Sequence, residues 1–155
     1  MSDVEARLRS LNLTLPEPVA PLASYVPAVS VHAGALVLIS GQIPTKDGAI
    51  MATGRVPSEV SEQLATECAR QCVVNALASL KAEVGDLQRV RRVVKLGIFV
   101  ACDPGFGNQP EVGNGASDLI GEIFGDNGRH ARAAVGVPAL PRNVPVEIDF
   151  TFCVD

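Results

Sequence analysis

Tryptophan is absent from the chain and tyrosine occurs once, so aromatic side chains make up 4% of its 155 residues. A platform that stacks unpaired bases needs several exposed rings, and this supply builds none. Positive charge is scarce too: 13 lysines and arginines face 17 acids, for a net charge of −4. That balance speaks against nucleic acid held over a broad electrostatic footprint, without excluding a local basic pocket. Histidine is limited to His32 and His130, far apart in sequence, which leaves no evident pair for RNA cleavage. No apolar run reaches the ~20 residues a membrane span needs, and no signal-peptide core follows the N-terminus. The expectation is a cytoplasmic protein with no membrane partner.

Cysteine occurs four times, as Cys68, Cys72, Cys102 and Cys153. Cys68 and Cys72 share one side of a helical pattern, but nothing nearby supplies further ligands at finger-like spacing, so no metal is expected. They read as small apolar core residues. Hydrophobic residues reach 47% and charged residues 19%, a globular composition. One domain over 1–155 is expected: an N-terminal helix and Pro-rich lead-in over 1–21, then a core over 22–155.

The periodicities place the elements. A short helix over 2–12 has Ser2 as its cap and Val4, Leu8 and Leu11 on one side. A hairpin over 25–43 turns at Ala33-Gly34, and a looser turn follows at Lys46-Asp47-Gly48. A long helix begins at Ser58, or one turn later at Ser61, and stops at Gly85, with Val60, Leu64, Cys68, Cys72, Ala76 and Leu80 as its stripe. A strand over 87–102 starts with Arg89, Arg91, Arg92 and Lys95, a basic stretch that reads as a solvated rim. The glycines of the next loop are not spaced as a phosphate cradle. A second helix runs over 110–124 with Pro110 in its first turn and Val112, Ala116, Leu119, Ile120, Ile123 and Phe124 buried. Two strands close the chain. This order builds an α+β fold: one mixed β-sheet with two helices packed on one face. The other face would expose apolar residues, Val93 and Phe99 among them, and burying it predicts a homo-oligomer of cyclic symmetry.

The chemistry concentrates in residues 130–155, HARAAVGVPALPRNVPVEIDFTFCVD. Strict alternation sends Val146, Ile148, Phe150, Phe152 and Val154 to the core, and Glu147, Asp149, Thr151 and Cys153 the other way. Arg132 stands among small residues, which leaves room for a planar fork that matches a carboxylate. Glu147 is able to orient and deprotonate a water. Two readings stand side by side: a pocket that binds a carboxylate substrate, or an Arg–Glu ion pair at a subunit interface. His130, two residues before Arg132, shares its face if the strand reaches that far; otherwise it is a turn-end histidine. Asp149 shares the face of Glu147, where a structural hydrogen-bond or interface role is the plainer reading.

The run from Arg132 to Ile148 (arginine, then V-x-V-x-x-L-P-x-x-V-x-V-E-I) resembles the C-terminal signature of the YjgF-type reactive-intermediate deaminases, the Rid family, often labelled endoribonuclease L-PSP. Leu-Ile-Ser-Gly-Gln-Ile-Pro at 38–44 and the helix-then-strand stretch 63–100 resemble the same family, so the likeness covers about residues 22–154. It implies a chorismate-mutase-like fold and a homotrimer with sites between subunits. It also implies hydrolysis, without a cofactor, of 2-imino or 2-enamino acids to 2-keto acids and ammonia. By the same resemblance Arg132 anchors the carboxylate, Glu147 orients the water, and Tyr25, Ser40, Gly41 and Asn114 border the ligand. Ala134 stands where many relatives carry a cysteine, and the spans 25–40 and 101–114 are longer than usual, which marks a divergent subgroup. The alternatives are a small-metabolite-binding trimer without turnover and, against the charge balance, an endoribonuclease or translation inhibitor.

Overall fold

The computed structural model describes residues 4–18, 28–31 and 36–155, the side chains of 28–31 excepted. Tyr25, the Ala33-Gly34 turn and the Ser2 cap lie outside them. The elements are α1 (Val4–Ser10), β1 (Ala28–Val31), β2 (Leu36–Gln42), β3 (Thr45–Lys46), β4 (Ala49–Ile50), α2 (Glu62–Val84), β5 (Val90–Ala101), α3 (Gln109–Phe124), β6 (Ala131–Val137) and β7 (Val146–Val154).

Five strands form one mixed sheet in the order β1-β2-β7-β5-β6. All neighbours are antiparallel except β5 and β6, which run parallel and are joined through α3. A parallel pair needs such a crossover, because a tight turn cannot return the chain in the same direction. β7 is central, and its alternation survives intact: Val146, Ile148, Phe150, Phe152 and Val154 are buried, the residues between them only partly. α2 and α3 cover this apolar face and touch each other. The mixed α+β fold with two helices on one face is therefore the observed one, with α1 packed beside α3.

Two details differ from the sequence expectation and one choice is decided. The long helix uses the second of its two candidate caps, Ser61, whose side chain accepts from the Leu64 amide at 3.2 Å. Ser58 does not cap, because the Glu59 and Val60 amides beyond it already donate to the Arg55 carbonyl in a separate turn. Leu64, placed in the buried stripe, is 40% exposed, since it lies in the first turn, ahead of the buried run from Cys68 to Leu80. Val93 is fully buried on the helix side rather than exposed on the open face, whereas Phe99 does lie on the open side, half-buried. Irregular pairing between Val93 and Lys95 resets the alternation there.

Cys68 and Cys72 are buried in the core cluster. Desolvation, then the charge of Glu67, raises the Cys68 thiol to about 11; burial lifts Cys72 well above its ordinary value. Both are thereby kept as inert thiols. At the basic start of β5, Arg89 and Arg91 reach Asp155 at the far end of β7, which fixes that rim as an ion-paired edge. Among the described residues no three histidine, cysteine or acidic side chains gather to hold a metal, and no helix is long and apolar enough to cross a membrane.

Candidate active site

β6 places Arg132. In register, Arg132 pairs with Leu96 and Leu96 with Phe150, a row that faces the helices. β6 is the edge strand, so the guanidinium emerges from this row into the groove between β6 and α3. There Nη1 donates to Asn114 Oδ1 and to Ser117 Oγ, both at 3.0 Å. Gly113 supplies the room, since a Cβ on it would stand 3.3 Å from Nη1. With both Nη1 hydrogens given to these acceptors, Nε and Nη2 are left for a planar acceptor, and among the described residues Arg132 has no carboxylate partner. A bidentate carboxylate fits such a fork.

The groove widens beside Arg132 into an open pocket of about 580 Å³ lined by Ser117, Gly121, Gly128, Arg129, His130 and Arg132. His130 is half-buried there, with Nδ1 2.6 Å from the Gly128 carbonyl and Nε2 3.0 Å from Ser117 Oγ. The sequence brings His130 into view through Arg132, and the structure does join them, by way of Ser117. Ser117 itself was not among the expected site residues. Its signal was the small-residue spacing Gly113, Ser117, Gly121, which lays an open stripe along one face of α3.

Glu147 stands elsewhere. It pairs in register with Phe99, and Phe99 with Val135, a row on the open face of the sheet. Arg132 and Glu147 of one chain therefore point to opposite faces, with β5 between their strands, and within one chain they form no ion pair. Two glycines make the floor under the open-face carboxylates. An added Cβ on Gly41 would lie 2.0 Å from Glu147 Oε1, and one on Gly97 would lie 2.6 Å from Asp149 Oδ2. An irregularity of β2 between Ile39 and Gln42 brings Ser40 and Gly41 to this side, where Gln42 Nε2 donates to the Ser40 carbonyl at 3.0 Å. Burial first, and the neighbouring charge of Asp149 second, raise the Glu147 carboxyl above its ordinary value. A carboxylate so placed is a stronger proton acceptor near neutral pH.

The expected site residues thus fall into two groups in a single chain. Arg132 and Asn114, joined by His130 and, newly, Ser117, gather on the helix side. Glu147, Ser40 and Gly41 lie on the open side. Tyr25 lies outside the described residues.

Known proteins share this fold and sequence. Residues 5–152 match the family model described as "YjgF/chorismate mutase-like, putative endoribonuclease". Protein TCP17 of Trypanosoma cruzi is 42% identical over 147 residues, covering 94% of this chain and 91% of that protein. The crystal structure of Atu1372 from Agrobacterium tumefaciens, described as of unknown function, is 46% identical with a TM-score of 0.90, covering 98% of this chain and 92% of that one. A Shewanella oneidensis structure named an endoribonuclease is 29% identical with a TM-score of 0.94, covering 99% and 100%. By fold, by sequence and over nearly its whole length, the chain belongs to the YjgF/chorismate-mutase-like family.

Proposed function

We propose that the chain hydrolyses 2-imino and 2-enamino acids to 2-keto acids and ammonia, in clefts between the subunits of a homotrimer. The observation that carries the reading is the Arg132 guanidinium, held over Gly113 by Asn114 and Ser117 at the edge of an open pocket. An imine is already electrophilic, so anchoring its carboxylate and placing a water supply most of what the reaction needs. No cofactor enters. The water belongs to Glu147, whose carboxylate comes from another copy because its own chain turns it to the opposite face. Leu36, Leu38 and Val135 on that face are more than two-fifths exposed in one chain, and covering them joins the two halves of the site.

A second reading is a trimer that binds small keto acids without turnover. It is favoured by one observation: Asn114 and Ser117 hold Arg132 within a single chain, while Glu147 is remote from it. The endoribonuclease name carried by the relatives finds less support in a chain of net charge −4 with 4% aromatics.

The test adds purified protein to a threonine dehydratase, which releases an enamine acid, and follows keto-acid formation. The wild type is expected to accelerate it, and Arg132→Ala to abolish the effect with its oligomer intact. Full activity in Arg132→Ala removes Arg132 from the reading. Saturable pyruvate binding without turnover selects the second.

A further inference from the structure

We infer that Asn75 is a positioning residue for Glu147: from inside α2 it fixes the shifted pairing of β2 that sets Gly41, with no side chain, against the carboxylate. The kinetic consequence rests on the deaminase reading, and the structural one does not. Asn75 lies midway along α2, 7% exposed, on a stretch that also buries Cys72, Val73, Ala76 and Leu77. An amide in such surroundings costs free energy unless its polar atoms are paired. Here each is. Nδ2 donates to the Ile43 carbonyl at 2.9 Å and to the Thr45 carbonyl at 3.0 Å, and Oδ1 accepts from Gln71 Nε2 at 2.9 Å. Both main-chain partners only accept, which fixes the way the amide faces. The two carbonyls belong to the segment by which the chain leaves β2 and enters β3.

What this clasp holds is a register. β2 carries one residue more than β7 between the pairs Ile39–Phe150 and Gln42–Ile148, as a β-bulge does. In a ladder continued from Ile39–Phe150 without the bulge, Gly41 would stand opposite Ile148 and Gln42 opposite Glu147. Residues directly opposite share a face, so a glutamine side chain would then occupy the place beside the carboxylate. The bulge puts Gly41 there instead, so close that a Cβ on it would collide with Oε1 of Glu147. Before the bulge, Leu36 to Ile39 all pair with β7, and β1 pairs with the same residues but no further than Ile39. Beyond it, among the described residues, β2 keeps the single pair Gln42–Ile148. β3 pairs with β4 in a separate sheet and passes no register back. Asn75 therefore supplies the next two fixed points, at Ile43 and Thr45, from a helix rather than from the sheet. Without them a one-residue slip of the strand end is opposed by one pair, and such a slip exchanges the residues that face each side.

The experiment compares wild type, Asn75→Leu and Asn75→Ala in the imine-hydrolysis assay, at a temperature where each is folded, with KM and kcat separated. It also reads the contact itself, as the nuclear Overhauser effect between the Gly41 α-hydrogens and the Glu147 γ-hydrogens. Both variants should lower kcat about 100-fold, the scale of one general base. KM should change less, because Arg132 is held on another strand. Both variants should also lose the Overhauser contact. A contact kept in the variants overturns the inference whatever the kinetics, and so does a wild-type kcat in a variant that is merely less stable. If the wild type does not turn over imines, the deaminase reading fails by itself. The Overhauser contact then decides on Asn75: its loss in the variants supports the positioning role, and its retention overturns it. Should neither variant fold, exchange of the Asn75 side-chain amide hydrogens in the wild type decides. Protection supports the clasp, and exchange as fast as in an exposed amide overturns it.

Discussion

A carboxyl group over glycine is the most consequential contact in the molecule. Glu147 lies across Gly41 so closely that no side chain fits at position 41, and the burial that results raises its proton affinity. The sign of the linked stability follows. The unfolded carboxyl ionises at about 4.3, and the folded one holds its proton to higher pH, so the stabilising form is the protonated one. That contribution is fully present below the unfolded value and is lost as pH rises through the folded one. Glu147→Gln should therefore melt at a higher temperature than wild type at pH 7, and the difference should vanish near about pH 4, as thermal scans at the two pH values will read. A lower melting temperature at pH 7 contradicts this. The face of Glu147 was readable from alternation alone, and Arg132 from its small neighbours. Ser117 was marked only by the spacing Gly113, Ser117, Gly121, a signal that gains meaning once Arg132 and His130 converge on it.

Helix-to-helix contact decides how firmly the Arg132 groove is held. Gly115 of α3 packs on α2, and a Cβ there would meet the Thr66 carbonyl at 2.3 Å, whereas one at Gly121 would meet nothing within 4 Å. The same substitution should thus act with opposite sign on one helix. Gly115→Ala should destabilise by about 1–3 kcal/mol through overpacking, and Gly121→Ala should stabilise by about 0.5–1 kcal/mol through helix propensity, both from urea melts. Stabilisation by Gly115→Ala would mean that α3 slides freely on α2. The two long helices and their stops were legible from hydrophobic period and from Gly85 and Gly125, and β7 from its strict alternation. The start of α2 was ambiguous, since Ser58 and Ser61 are equivalent caps by type. The turn that gives the Glu59 and Val60 amides to the Arg55 carbonyl decides between them.

For the whole molecule, the sheet separates the two groups that the proposed reaction needs together. One face with its edge carries Arg132, and the other carries Glu147 among exposed apolar residues. The sequence showed that one face lacks a cover, but alternation within single strands cannot reveal that Arg132 and Glu147 lie on different faces. That depends on β5 running between β6 and β7. The most direct test mixes two variants, Arg132→Ala and Glu147→Gln, each expected to be inactive alone with its oligomer intact. After unfolding and refolding together in equal amounts, a cyclic assembly with sites shared between neighbours should recover about a quarter of the wild-type activity per site. Mixed oligomers of demonstrated composition that remain inactive would contradict a site completed by a second copy.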